Sequence, residues 1–230
     1  MPIKSYSSKK IGAVEVGHEA KQYTLTSTRL VLRSFNQNEE RFLIERYGVL
    51  LGKPENVALF GEGKPWTETQ VTKFVQGEIK KWDENQKFAV FTIFNKETNE
   101  FMGCLYIDHS VADFAKVGAG HENVAEIGYI IDQAFWGKGY GTEIAILGKK
   151  YIKHIVAESP QDSLEGSIRE IVATVHPDNI GSKKILEKTL KRHEEEEFIK
   201  FGGNRRLLFF KPFAVSTSAA AEPVPLGAKL

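Results

Sequence analysis

The sequence predicts a mixed α/β (α+β) domain built around one central sheet, and three observations carry that expectation. A nearly all-apolar strand, Ile127–Ile131, feeds a glycine-rich loop, an amphipathic helix and a further strand at Ile171–Val175. That succession is a βαβ crossover, which makes the two strands parallel and the connection right-handed. The β-rich runs Phe88–Phe94 and Met102–Ile107, separated by the polar stretch Asn95-Lys96-Glu97-Thr98-Asn99, read as an antiparallel hairpin. A last hairpin has arms Phe198–Phe201 and Arg206–Phe213 around a Gly202-Gly203-Asn204 turn.

In chain order, residues 1–22 are rich in Gly, Ser and Lys without a sustained period, and read as an N-terminal extension. Regular structure begins with the strand Arg29–Arg33. Asn36 is placed to cap a short helix carrying Phe42, Leu43 and Tyr47 on one side. Thr67 with Gln70 three positions on is a capping-box pattern, and Val71, Phe74, Val75, Ile79 and Trp82 follow at helical spacing. Residues 108–122 read as a loop. After the glycine run, Ile144, Leu147, Gly148, Tyr151 and Ile155 form the buried stripe of a helix from about Thr142 to Val156. Residues 159–168 are a Gly/Ser/Pro/Asp-rich connector. Pro177-Asp178-Asn179 turns the chain into a helix carrying Ile185, Leu186 and Leu190. From residue 214 onward Ser, Ala and Pro dominate, so the expected organisation is one domain over 23–213 and a flexible tail over 214–230.

The chain has 230 residues, enough for one good core, and its Lys+Arg and Asp+Glu counts of 31 and 30 give a net charge of +1. Nothing global therefore points to nucleic acid or an anionic membrane, and neither is expected as a partner. The single cysteine, Cys104, excludes an intrachain disulfide framework and a multi-cysteine metal site, and suits a reducing compartment. The first residues lack the apolar stretch of a signal peptide, and no apolar run reaches about 18 residues. A soluble, cytoplasmic protein is expected. His109, His121 and His176 lack metal-ligand spacing, and no metal is expected.

Chemistry concentrates at Trp136-Gly137-Lys138-Gly139-Tyr140-Gly141-Thr142-Glu143. Alternating glycines just before a helix let backbone N–H groups converge on an anion at the helix N-terminus, which points to a ligand carrying a pyrophosphate. A dinucleotide fingerprint needs a third glycine where Thr142 stands, and a Walker loop needs Ser or Thr after its Gly-Lys, so neither pattern is met.

At these residues the chain resembles the GCN5-related N-acetyltransferase (GNAT) superfamily, and within it the RimJ/RimL-like branch. The blocks that carry the resemblance stand in the family's order: Thr28-Arg29-Leu30-Val31-Leu32-Arg33, Ala125-Glu126-Ile127-Gly128-Tyr129, Trp136 through Glu143, Val175-His176-Pro177-Asp178-Asn179 and Ile185-Leu186-Glu187-Lys188. One departure follows, since the chain has Thr189-Leu190-Lys191 where the branch has Leu-Gly-Phe. The resemblance implies a strongly twisted mixed sheet flanked by helices, whose central parallel strands splay apart to admit acetyl-CoA. It also implies transfer of an acetyl group from this co-substrate to a primary amine, a protein N-terminus or a small molecule, by direct attack in a ternary complex. A catalytically silent acyl-CoA-binding module is the other reading. Monomers and homodimers are both compatible with the family.

An amine must lose a proton to attack, since α-amino groups titrate near ~8 and lysines near ~10.4. Glu126, just before the strand that enters the loop, is the candidate base, directly or through a water. The plainer reading is a solvated strand-end carboxylate paired with a nearby lysine. The resemblance implies that backbone N–H groups near Tyr129, Ile130 and Ile131 stabilise the developing oxyanion. It also implies that Ser182 protonates the departing thiolate, against a plainer role at its helix N-terminus. Asn179 matches a residue contacting the pantetheine arm, and is equally a turn or cap residue. Trp136, Gly137, Lys138, Gly139, Tyr140, Gly141 and Thr142 are the expected pyrophosphate contacts, mainly through backbone N–H. Cys104, within an apolar strand, reads as packing rather than as an acyl carrier. Trp66, Phe74 and Trp82 read as helix-face core residues. The final Ala228-Lys229-Leu230 is a variant of the Ser-Lys-Leu peroxisomal address, an alternative to the cytoplasm.

Overall fold

The structure, a computed structural model, describes residues 3–109, 123–193 and 197–213. Its elements are β1 (Lys4–Ser8), β2 (Gly12–Glu19), β3 (Gln22–Thr26), β4 (Leu30–Ser34), α1 (Glu40–Gly52), α2 (Pro54–Val57), α3 (Glu68–Asp83), β5 (Phe91–Asn95), β6 (Phe101–Asp108), β7 (Val124–Ile131), α4 (Tyr140–Glu158), β8 (Glu170–Val175), α5 (Ile180–Thr189), β9 (Arg192–His193), β10 (Phe198–Lys200) and β11 (Asn204–Pro212). Among the described residues the strands form one sheet in the order β1-β2-β3-β4-β5-β6-β7-β8-β11-β10, with β9 against β11. Among the described residues, only β7 and β8 run parallel. Their pairing stops after Glu126 opposite Val172, while β7 stays paired with β6 up to Ile131. The sheet therefore forks between β7 and β8, as the resemblance implies.

Helices cover both faces of the sheet at β6, next to the fork. Neighbouring residues of a strand point to opposite sides. Leu105 lies under Gly148 of α4, whereas Tyr106 meets Phe60 and Phe74 of α3. Helix α5 lies with α4, its Ile185 Cδ1 only 2.6 Å from where a Cβ on Gly141 would sit. A methyl at Gly141 would require the tip of the Ile185 side chain to shift. Tyr47, Leu43 and Leu50 of α1 and Val71, Val75 and Ile79 of α3 are buried with Leu32, Phe91 and Ile93 of the sheet in one core. Thr67 closes the expected capping box at the start of α3, accepting from Gln70 N while Gln70 accepts from Thr67 N.

Several elements differ from the sequence expectation. Residues expected to form an extension are instead β1 and β2, paired antiparallel with each other and through β3 to the rest of the sheet. Val14 and Val16 of β2 are buried, and Tyr6 Oη lies 2.7 Å from His154 Nδ1 on α4. Asn36 precedes a single 3-10 turn, Gln37–Glu39, and its amide bonds the Glu39 carboxylate at 2.6 Å instead of a backbone N–H. Strand β5 starts at Phe91, because Val90 is bonded by side chains of α3: its N–H donates to Glu78 Oε2 and its carbonyl accepts from Trp82 Nε1, both at 2.9 Å. In the last hairpin Phe201, Gly202 and Gly203 have positive φ and make the turn, and Asn204 already pairs with Lys200. The expected loop over 108–122 lies largely outside the described residues, as do His121 and the tail from residue 214.

Candidate active site

The glycine run sits at the mouth of the fork. Gly137 and Gly139 have φ of 74° and 81°, in the left-handed region that side chains disfavour. Gly139 is the N-cap of α4, and a Cβ on Gly137 would meet nothing within 4 Å, so the loop backbone faces open space. Trp136 is half-exposed and its indole N–H donates to Ile131 O at 2.8 Å, which fixes the exit of β7. Lys138 turns its ammonium back to Ala134 O at 2.9 Å. Tyr140 is half-buried, with Asn95 Nδ2 at 3.4 Å from its hydroxyl. Gly141 and Thr142 form the first turn of α4.

Ladder alternation sets which backbone groups of β7 face the fork. Asp132 N donates to Met102 O, in register with the β6–β7 pairing, so Ile130 turns its backbone toward β6. Tyr129 and Ile131 turn theirs to the open edge beside β8. Their N–H groups face the fork, whereas that of Ile130 faces β6.

Tyr129 and Glu126 lie on opposite faces of β7, since their positions differ in parity. On the α4–α5 face, Tyr129 Oη is 2.9 Å from Ser182 Oγ, a hydroxyl pair spanning the fork. Burial pushes the Tyr129 phenol up to about 12, against the Ser182 hydrogen bond, so it stays protonated at neutral pH. Ser182 N donates to Asn179 Oδ1 at 3.0 Å, which makes Asn179 the side-chain N-cap of α5. Ser182 thus occupies a first-turn position and also bears a hydroxyl aimed at β7.

On the other face, Glu126 is not the solvated strand-end carboxylate of the plainer reading. Its side chain is 16% exposed, its Oε2 takes Lys200 Nζ at 3.0 Å and its Oε1 accepts from Thr174 Oγ1 at 3.0 Å. Burial raises its carboxyl above the ordinary value, and the Lys200 ammonium and the Thr174 hydroxyl oppose that rise without cancelling it. The lysine partner of the plainer reading is present. A carboxylate has about four acceptor sites, so it still has capacity for a water or an amine. Cys104 is buried, and burial raises its thiol well above the usual range, in keeping with packing. His176 Nδ1 accepts from Asp178 N at 3.2 Å in the turn before α5. Among the described residues no group of three or more His, Cys, Asp or Glu is placed to hold a metal. No helix among them is long and apolar enough to cross a membrane.

Three partners at the site escaped the sequence reading. Lys200 and Thr174 reach Glu126 from separate strands, and the Tyr129 side chain joins Ser182, where only its backbone was expected to matter. Arg29 and Glu143 hold the loop from beneath. The one local signal for that pair was an acidic residue in the first turn of α4, beside its apolar stripe.

A forked mixed sheet with a glycine loop at a helix N-terminus is the GNAT fold. The chain belongs to the GNAT acetyltransferase family: a model of the acetyltransferase (GNAT) domain matches residues 29–189. Solved structures agree on the fold. An acetyltransferase of the GNAT family from Bacillus anthracis is 20% identical, with a TM-score of 0.55 over 81% of this chain and 95% of its own. RimL, a ribosomal L7/L12 alpha-N-protein acetyltransferase in complex with coenzyme A, is 21% identical, with a TM-score of 0.55 over 81% and 95%. An acetyl transferase from Salmonella typhimurium that modifies the N-terminal serine of ribosomal protein L7/L12 is 20% identical, with a TM-score of 0.55 over 82% and 97%.

Proposed function

We propose that this chain transfers the acetyl group of acetyl-CoA to a primary amine by direct attack, as a member of the RimJ/RimL-like branch. The observation that carries the proposal is the division of labour across the fork, with Glu126 on one face of β7 and the Tyr129–Ser182 pair on the other. The open glycine loop fits a diphosphate, and the fork fits an extended thioester arm leading to β7. Acetyl-CoA supplies the activated acyl carbon. Glu126 takes the proton of the attacking amine, directly or through a water. The N–H groups of Tyr129 and Ile131 donate to the charge developing on the acyl oxygen. Ser182 Oγ–H returns a proton to the departing sulfur as the C–S bond breaks and the C–N bond forms. Its own proton is replenished by the Tyr129 hydroxyl, which takes one from solvent water in turn and so returns to the neutral form favoured at working pH.

The activities of the RimL proteins favour a protein N-terminus as acceptor, with small amines as the other class. The test is thiol release from acetyl-CoA across a panel of peptides and small amines, with the acetylated product identified by mass spectrometry. Release with at least one N-terminal peptide supports the proposal. Coenzyme A binding without release from any amine supports the silent acyl-CoA-binding reading, which the Lys200 and Thr174 contacts on Glu126 favour. For localisation we propose the cytoplasm, with the peroxisome as alternative. A fluorescent reporter carrying residues 214–230 decides between them.

A further inference from the structure

Arg29, just before β4, grips the loop expected to meet the diphosphate. Arg29 Nε donates to Glu143 Oε2 at 2.7 Å, and its Nη2 pairs with the same oxygen at 2.6 Å. Its Nη1 donates to Lys138 O at 2.9 Å, and the guanidinium lies 4.4 Å from the centroid of the Tyr140 ring. The other Glu143 oxygen accepts from Ser27 Oγ at 2.7 Å and from Arg29 N at 3.3 Å. Glu143 is 2% exposed, so this carboxylate is saturated with donors out of reach of solvent.

Two physical effects follow from that grip. A carboxylate in the first turn of α4 occupies the positive end of the helix and opposes a phosphate bound there. Arg29 cancels its charge. In a trans peptide the carbonyl and the following N–H point in opposite directions. Drawing Lys138 O inward to Arg29 therefore turns Gly139 N–H outward, toward the open face of the loop. Lysine would not reproduce this, because the planar fork of arginine engages Glu143, Lys138 O and the Tyr140 ring together.

We infer that Arg29 is a positioning residue for the phosphate-bearing donor, neutralising Glu143 and presenting the Gly139 N–H to the diphosphate. The inference rests on the reading that acetyl-CoA is the donor. Its test is calorimetric titration of coenzyme A into the wild type, Arg29→Gln, Arg29→Lys and the double variant Arg29→Gln/Glu143→Gln. The KM for acetyl-CoA and for S-acetylpantetheine, a donor without the diphosphate, is measured alongside. Arg29→Gln is expected to weaken coenzyme A binding by about tenfold or more and to leave the KM for S-acetylpantetheine within about twofold. Adding Glu143→Gln is expected to recover part of the affinity, because it removes the uncompensated charge. Arg29→Lys, which retains the charge, should lose less than Arg29→Gln and show the same donor selectivity. It carries the comparison if Arg29→Gln fails to fold. Coenzyme A binding unchanged in Arg29→Gln, an equal loss for both donors, or no recovery in the double variant would overturn the inference. A wild type that does not bind coenzyme A at all would instead overturn the donor assignment.

Discussion

At the residue scale, the proposed mechanism assigns proton handling to Glu126 on one face of β7 and to the Tyr129–Ser182 pair on the other. Glu126→Gln is expected to lower kcat by about a hundredfold or more while leaving coenzyme A affinity near that of the wild type. Burial raises the Glu126 carboxyl above its ordinary value of 4.5, and it must be ionised to accept a proton. The acid limb of the kcat profile should therefore lie above pH 4.5 and disappear in the glutamine variant. Tyr129→Phe and Ser182→Ala should each slow coenzyme A release in single-turnover kinetics. If the hydroxyls act as one relay, the double variant is no slower than the worse single one. Losses that multiply would show independent roles.

At the scale of elements, the loop and α5 are placed by caps and polar ties. Asn179→Ala removes the side-chain cap of α5 and should cost about 1 kcal/mol in chemical denaturation, while Asn179→Asp keeps the acceptor oxygen and the stability. Coenzyme A affinity unchanged in the aspartate variant assigns Asn179 to capping alone. The segment between β7 and α4 is tied to α2 by Asp132, which bonds Lys53 Nζ at 2.5 Å and Asn56 Nδ2 at 3.4 Å. Burial would raise the Asp132 carboxyl, but Lys53, Ala134 N–H and Asn56 outweigh it and hold it below its ordinary value of 3.8. A depressed folded value means the unfolded chain binds the proton more readily, so the tie stabilises above that ordinary value and is lost as pH falls through the folded value. Asp132→Asn should thus lower stability by about 1 kcal/mol or less at neutral pH, with the gap closing in acid. The capping box of α3 and the glycine loop were both legible in sequence, because each is a local pattern closed within a few residues. The β2–β3 hairpin was not. Its turn residues Ala20 and Lys21 adopt φ of 46° and 68°, where a sequence usually signals with Asn or Gly.

At the scale of the whole molecule, the N-terminal strands belong to the sheet rather than hanging from it. Val14 and Val16 carry the inward alternation of β2, too few apolar positions for the pattern to stand out among Gly, Ser and Lys. Deleting residues 1–20 exposes the edge of β3 and removes those valines and the Tyr6–His154 contact on α4. A loss of about 3–6 kcal/mol is expected for the two valines, read as a lower midpoint in denaturant, with increased aggregation through the uncovered edge. A midpoint equal to that of the full chain would return these residues to the status of an extension.

The sequence by itself determined what is local: the crossover, the order of the hairpins from β5 onward, the caps, and a phosphate-facing loop whose glycines need positive φ. Only the tertiary structure decided who meets whom across the fork. Arg29 and Glu143 are 114 residues apart, Glu126 and Lys200 are 74, and Tyr129 and Ser182 are 53. Backbone conformation follows from neighbours along the chain, whereas these pairings follow from strand register and helix packing. A one-residue shift in register would turn Glu126 to the other face of β7 and leave Lys200 facing an apolar neighbour.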